Sequence, residues 1–61
     1  MKRCKTQVKP GDSIHIYHMF GYSEYKDCEG NVKYIDENRV YGTWGPDPLI
    51  FADDWEIIED D

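Results

Sequence analysis

The segment YIDENRVYGTWG, residues 34–45, followed by PLIFADDWEII, residues 48–58, limits what this chain can fold into more than any other stretch. Residues 31–35 and 39–44 are rich in β-branched and aromatic side chains, and the polar turn Asp36-Glu37-Asn38 joins them as a hairpin. Residues 49–51 and 56–58 read as two further strands. Ala52-Asp53-Asp54-Trp55 between them suits one 3₁₀ turn, and Gly45-Pro46-Asp47-Pro48 reads as a rigid loop. In the third strand Val40, Gly42 and Trp44 share one face and Tyr41 and Thr43 the other. Gly42 in mid-strand marks a sharp bend.

Upstream, Val8-Lys9-Pro10-Gly11-Asp12 is a turn. SIHIYHMF, residues 13–20, is a strand with Ile14, Ile16 and His18 on one face and His15, Tyr17 and Met19 on the other. GYSEYKDC, residues 21–28, has no apolar period and reads as a long loop that carries Tyr22 and Tyr25. No stretch has helical periodicity. Short strands at close spacing, punctuated by Gly and Pro, predict an all-β fold: a small five-stranded SH3-like barrel with one short 3₁₀ turn before the last strand. The expected organisation is a flexible basic arm (1–7), the barrel (8–58) and an acidic tail (59–61). The expected core is Ile14, Ile16, Val32, Tyr34, Val40, Leu49, Phe51, Trp55 and Ile57.

A chain of 61 residues is near the lower size at which a domain folds alone, and its 15% aromatic content supplies the area that a short core needs. Lys2, Arg3, Lys5 and Lys9 make the start basic, whereas Asp53, Asp54, Glu56, Glu59, Asp60 and Asp61 make the end acidic; the net charge is −6. Phosphate-driven nucleic-acid binding needs a basic face, so direct nucleic-acid binding is not expected. An acidic surface suits a basic partner protein. No apolar run approaches membrane-spanning length, and polar residues follow Met1-Lys2-Arg3, so the expected location is a cytoplasm, with no membrane partner. Cys4 and Cys28 are then expected to stay reduced.

Little in the chain points to catalysis. His15 and His18 form H-x-x-H, but three residues apart on a strand they face opposite ways, and Cys4 and Cys28 lack zinc-site spacing. Neither a metal nor another cofactor is expected. No nucleophile–base pattern or phosphate-cradling glycine loop is present in the sequence, so the expectation is not an enzyme.

VKPGDSIHIY, EGNVKYIDENRVYGTWG and DDWEII together resemble a family of uncharacterised small proteins of bacteriophages, prophages and conjugative elements, mostly of Gram-positive bacteria. The matching positions are Pro10-Gly11-Asp12, Glu29-Gly30, Ile35-Asp36-Glu37, Gly42-Thr43-Trp44-Gly45 and Asp54-Trp55-Glu56-Ile57-Ile58. Gly-Thr-Trp-Gly is the most specific of these motifs. The chain departs from the family at Gly45-Pro46-Asp47-Pro48, where the family has a Gly-rich run, and in its acidic tail. The resemblance implies the fold and a mobile-element origin, hence the cytoplasm of a bacterial host cell; the family carries no established enzymatic activity.

Tyr and Trp bring large contact area at low entropy cost, which makes the aromatic residues the best functional feature. The expected binding face is Tyr17, Tyr22, Tyr25, Tyr41 and Trp44 with the acidic neighbours Glu24 and Asp27. The first expectation is a stoichiometric antagonist of a basic host defence protein. A second is an oligomer that sequesters a nucleotide-type immune signal between subunits, with His15 stacking on the base and Lys33 and Arg39 meeting phosphate. A third is an SH3-like structural adaptor.

Overall fold

A computed structural model describes residues 4–58. The fold is all-β, as the strand pattern predicts: β1 (Ser13–His18), β2 (Cys28–Asp36), β3 (Arg39–Gly42), β4 (Gly45–Ile50) and β5 (Asp54–Ile58). They form one antiparallel sheet in the order β4-β3-β2-β1-β5. β4 and β5 are its edges, and no ladder joins them, so backbone pairing does not close the sheet into the expected barrel.

Alternation along the strands builds the core. Ile14 and Ile16 of β1, Val32 of β2, Val40 of β3, Leu49 of β4 and Trp55 and Ile57 of β5 point to one side, and Val8 covers one end. Phe51 and Ile35 pack against them, half-buried. Burial of these branched and aromatic side chains provides most of the favourable free energy of so small a fold.

Three register shifts move residues away from simple alternation. A shift between Ile16 and His18 turns Met19 into the core and leaves His18 exposed, the reverse of the expected faces. One between Val32 and Tyr34 turns Tyr34 outward; it is 53% exposed and does not belong to the core. A third, between Val40 and Gly42, takes up Pro46, Asp47 and Pro48 as a bulge within β4, so this segment is part of a strand and not a separate loop. In the first two shifts one extra residue on one strand changes the face of every later side chain, whereas the third sets three residues of β4 against Tyr41 alone and so keeps the alternation beyond it.

The expected loop after β1 is also more ordered than its composition implied. Ser23–Tyr25 forms a 3₁₀ turn, and Tyr25 is buried. Lys5–Gln7 forms another 3₁₀ turn, with the Cys4 N–H donating to Gln7 Oε1 at 2.9 Å. Lys5 Nζ donates to the carbonyls of Phe51 and Asp53 and lies 5.0 Å from the centre of the Trp55 ring. Lys5 therefore ties this 3₁₀ turn to the segment between β4 and β5. The rest of the basic arm, residues 1–3, and the acidic tail, residues 59–61, lie outside the described residues. Between β4 and β5 the Asp53 N–H donates to the Ile50 carbonyl at 3.0 Å and closes a β-turn; Asp54 and Trp55, expected in a 3₁₀ turn, already belong to β5, and the 3₁₀ turns lie at Lys5–Gln7 and Ser23–Tyr25. Among the described residues no helix is long and apolar enough to cross a membrane.

Candidate binding face

The residues of the expected face separate into three groups. Tyr25 and Trp44 form the first, and both serve the fold. The Tyr25 hydroxyl donates to Asp47 Oδ2 at 2.8 Å, and the Trp44 indole N–H donates to the Asp47 carbonyl at 2.9 Å. That bond to the carboxylate, followed by burial, raises the Tyr25 pKa above its ordinary value and keeps the hydroxyl a donor. The Trp44 ring lies across Gly42 and Gly30. A Cβ at Gly30 would stand 3.0 Å from the Trp44 ring, and one at Gly42 would overlap that ring and the Asn31 carbonyl. A Cβ at Gly45 would meet the Tyr25 hydroxyl at 2.6 Å. Thr43 completes the arrangement: its N–H donates to the Asn31 carbonyl and its Oγ1 accepts from the Asn31 N–H, both at 2.9 Å. Gly42-Thr43-Trp44-Gly45 is thus a clasp over one end of the sheet, and its glycines make space for two aromatic rings.

Tyr41 belongs to a second place. It pairs with Tyr34 across β2 and β3, and the rings stack at 4.5 Å between centroids and 9° between planes. Arg39 is on the same outer face, two residues before Tyr41.

The third group contains Tyr17 and Asp27, and the structure adds His15, Glu29 and Glu56 to them. His15 stands between Glu29 of β2 and Glu56 of β5, its partners in the two ladders. His15 Nδ1 is 3.0 Å from Glu29 Oε2, and Nε2 is 3.7 Å from Asp27 Oδ1. The Tyr17 ring centroid lies 4.5 Å from that of His15, and its hydroxyl donates to Glu56 Oε1 at 2.7 Å. Past the end of β1, Phe20 and Tyr22 are exposed, with Phe20 edge-on to His18 and Tyr22 edge-on to Tyr25. Glu24 is exposed on the adjoining turn. The result is an outer face of β5, β1 and β2 that combines aromatic rings with carboxylates.

The alternative set, His15, Lys33 and Arg39, is not brought together. Lys33 lies four positions along β2 from Glu29, beside His15, and Asp36, beside Arg39, lies seven positions from Glu29. Those intervals correspond to about 13 and 23 Å along a strand. Carboxylates, not cations, surround His15. Among the described residues there is neither a pocket nor a group of three or more His, Cys, Asp or Glu able to hold a metal ion. Cys4 and Cys28 are both free thiols.

Comparison with protein-family models, curated proteins and solved structures finds no match. What this face can do therefore rests on its own chemistry.

Glu29, Glu56 and Phe20 were not among the expected site residues. The alternation Asp54, Glu56 against Trp55, Ile57 does mark Glu56 as outward. Glu29 stands beside His15 only because β2 begins at Cys28, earlier than the strand start expected at residue 31.

Protonation of His15 should be visible. The hydrogen bond with Glu29 is the main cause that lifts the His15 pKa above 6.5; burial opposes it and Asp27 adds to it. A histidine whose pKa is raised by folding stabilises the fold fully below its unfolded pKa, and that contribution disappears as pH rises through the folded value. The melting temperature should fall modestly as pH rises from just below neutrality, and His15→Gln should flatten that part of the profile. An identical profile in the variant would show that another group titrates.

Proposed function

We propose that this chain is a non-enzymatic binding protein, a stoichiometric antagonist that engages a basic surface of a host protein through the outer face of β5, β1 and β2. The observation that carries this reading is the exposed aromatic and acidic combination itself: Tyr17 bonded to Glu56 and packed on His15, which Asp27 and Glu29 flank, with exposed Phe20 and Tyr22 following β1. Large exposed rings in a chain of 61 residues are unused core material, and rings of this kind are the usual anchors of protein interfaces. The surrounding carboxylates favour encounter with a positive surface and disfavour a phosphate-bearing ligand. A mobile-element origin, implied by the resemblance of the Gly-Thr-Trp-Gly and Asp-Trp-Glu-Ile-Ile motifs, suggests a host defence protein as the target.

The test is affinity capture from a bacterial host with wild-type protein and with Tyr22→Ala and Glu29→Gln, together with mass spectrometry of small molecules released on heating. A protein partner should be retained by the wild type and weakened by salt. Tyr22→Ala should lower its affinity by about 1–2 kcal/mol, with no loss of thermal stability. Release of a nucleotide with no retained protein would sink the antagonist reading in favour of sequestration. A partner that ignores both substitutions would move the contact to another surface.

A further inference from the structure

A second surface lies at the hairpin end of the sheet and is independent of the face described above. Tyr34 and Asp36 of β2, Arg39 and Tyr41 of β3 and Ile50 of β4 share its outer side, because Tyr34 pairs with Tyr41 and Arg39 pairs with both Asp36 and Ile50. We propose that this surface is a two-fold interface at which the chain pairs with a second copy of itself.

Three observations point to this occupant. The first is the flat aromatic centre. The bulge before Tyr34 sends a large ring outward, where it stacks on Tyr41, and exposed Ile50 adjoins them across β3. The second is self-complementary charge. Asp36 and Arg39 are cross-strand partners, yet neither makes an ion pair with the other or with any described residue. A two-fold axis along the hairpin, between β2 and β3, would put Arg39 of each copy opposite Asp36 of the other and Tyr34 opposite Tyr41. An isologous contact requires that reciprocity. A partner of one charge sign would satisfy only one of the two residues. The third is the neighbouring edge. β4 carries Pro46 and Pro48, which have no N–H to offer, so edge-to-edge strand addition there is disfavoured and the contact falls on the face.

The area is consistent with a weak dimer. A standard interface takes about 800 Å² from each partner. The described chain exposes 4134 Å² in all. A standard interface would cover about a fifth of that surface and take about 20–30 residues a side, more than this five-residue centre supplies, so weak, concentration-dependent association is expected, not obligate pairing. The interface does not cover the His15–Glu29 pair, which lies toward the other end of β2.

Sedimentation equilibrium from micromolar to millimolar concentration tests the proposal. The wild-type mass should rise toward two chains. Tyr34→Ser should remain one chain with an unchanged far-ultraviolet circular-dichroism spectrum. Arg39→Asp alone and Asp36→Arg alone should each remain single, since each sets like charges against each other across the axis. Their equimolar mixture should pair, because every opposed charge is then matched. A wild type that stays monomeric throughout, a dimer indifferent to these substitutions, or a mixture that fails to pair would each overturn the proposal.

Discussion

Replacing Trp55 with alanine is expected to remove about 3–5 kcal/mol of stability, the cost of emptying a large aromatic site. Trp55 is 3% exposed and sits on β5 opposite Ile16 of β1. Its indole N–H donates to the Ile50 carbonyl at 2.9 Å, which ties the end of β4 to β5 where no ladder does so. Phe51 packs 6.0 Å away, and Lys5 covers the ring. Truncation would loosen β4, β5 and the N-terminal turn together. Small domains have roughly 5–15 kcal/mol in total, so the variant should be largely unfolded at modest temperature. Trp55→Phe separates the contributions: it keeps most of the apolar area and removes the indole bond, while the Ile50 carbonyl still accepts the Asp53 N–H, for a loss of about 0.5–1.5 kcal/mol from that bond. Urea titration of both variants checks the ranking. Melting of Trp55→Ala like the parent would contradict the packing of β5.

The second large effect is expected at Asp53, a carboxylate that is 3% exposed. Its Oδ1 accepts the Phe20 N–H and its Oδ2 the Ile50 N–H, each at 3.1 Å. Its carbonyl accepts from Lys5. One side chain thus joins the segment after β1 to the end of β4, while its backbone holds the N-terminal turn. Asp53→Ala would leave two backbone N–H groups without a partner, and hydrogen bonds to a charged group contribute about 1.5–3 kcal/mol each. A loss of about 2–5 kcal/mol is expected after partial rehydration. Asp53→Asn keeps the shape but presents an NH₂ to one of the two donors, so it should recover only part of the loss. Amide exchange at Phe20 and Ile50 should accelerate more than at β2. Unchanged protection at those two amides would show that the carboxylate does not hold them.

Both sites bear on how much of the molecule can be read from residues alone. The hairpin around Glu37, the inward faces of Val40, Leu49, Trp55 and Ile57, and the class of the fold follow from period-two patterning, a local property. Tyr34, His18 and Met19 were assigned to the wrong faces because a bulge leaves no local signature, and one extra residue reverses everything after it. Tyr25 looked like a free loop aromatic. Its burial depends on Asp47 and on the space left by Gly45, some twenty positions later in the chain. Lys5 looked like part of a solvated arm for the same reason: the carbonyls that hold it belong to Phe51 and Asp53. On the candidate face, Tyr17, Asp27 and His15 were recognisable by type. Their assembly with Glu29 and Glu56 depends on the register of β1 against both neighbours.

That register also governs how the polypeptide acquires its shape during synthesis. β1 emerges from the ribosome well before one of its two neighbours, β5: Ile14 pairs with Ile57, about forty residues later. β2, β3 and β4 succeed one another as adjacent strands and can close as they appear. β1 must meanwhile wait with one edge bare and Ile14 and Ile16 half covered. Maturation of the nascent chain should therefore end in a single late docking event, and a pause or break before β5 would leave a sticky, unfinished intermediate in place of a smaller working protein.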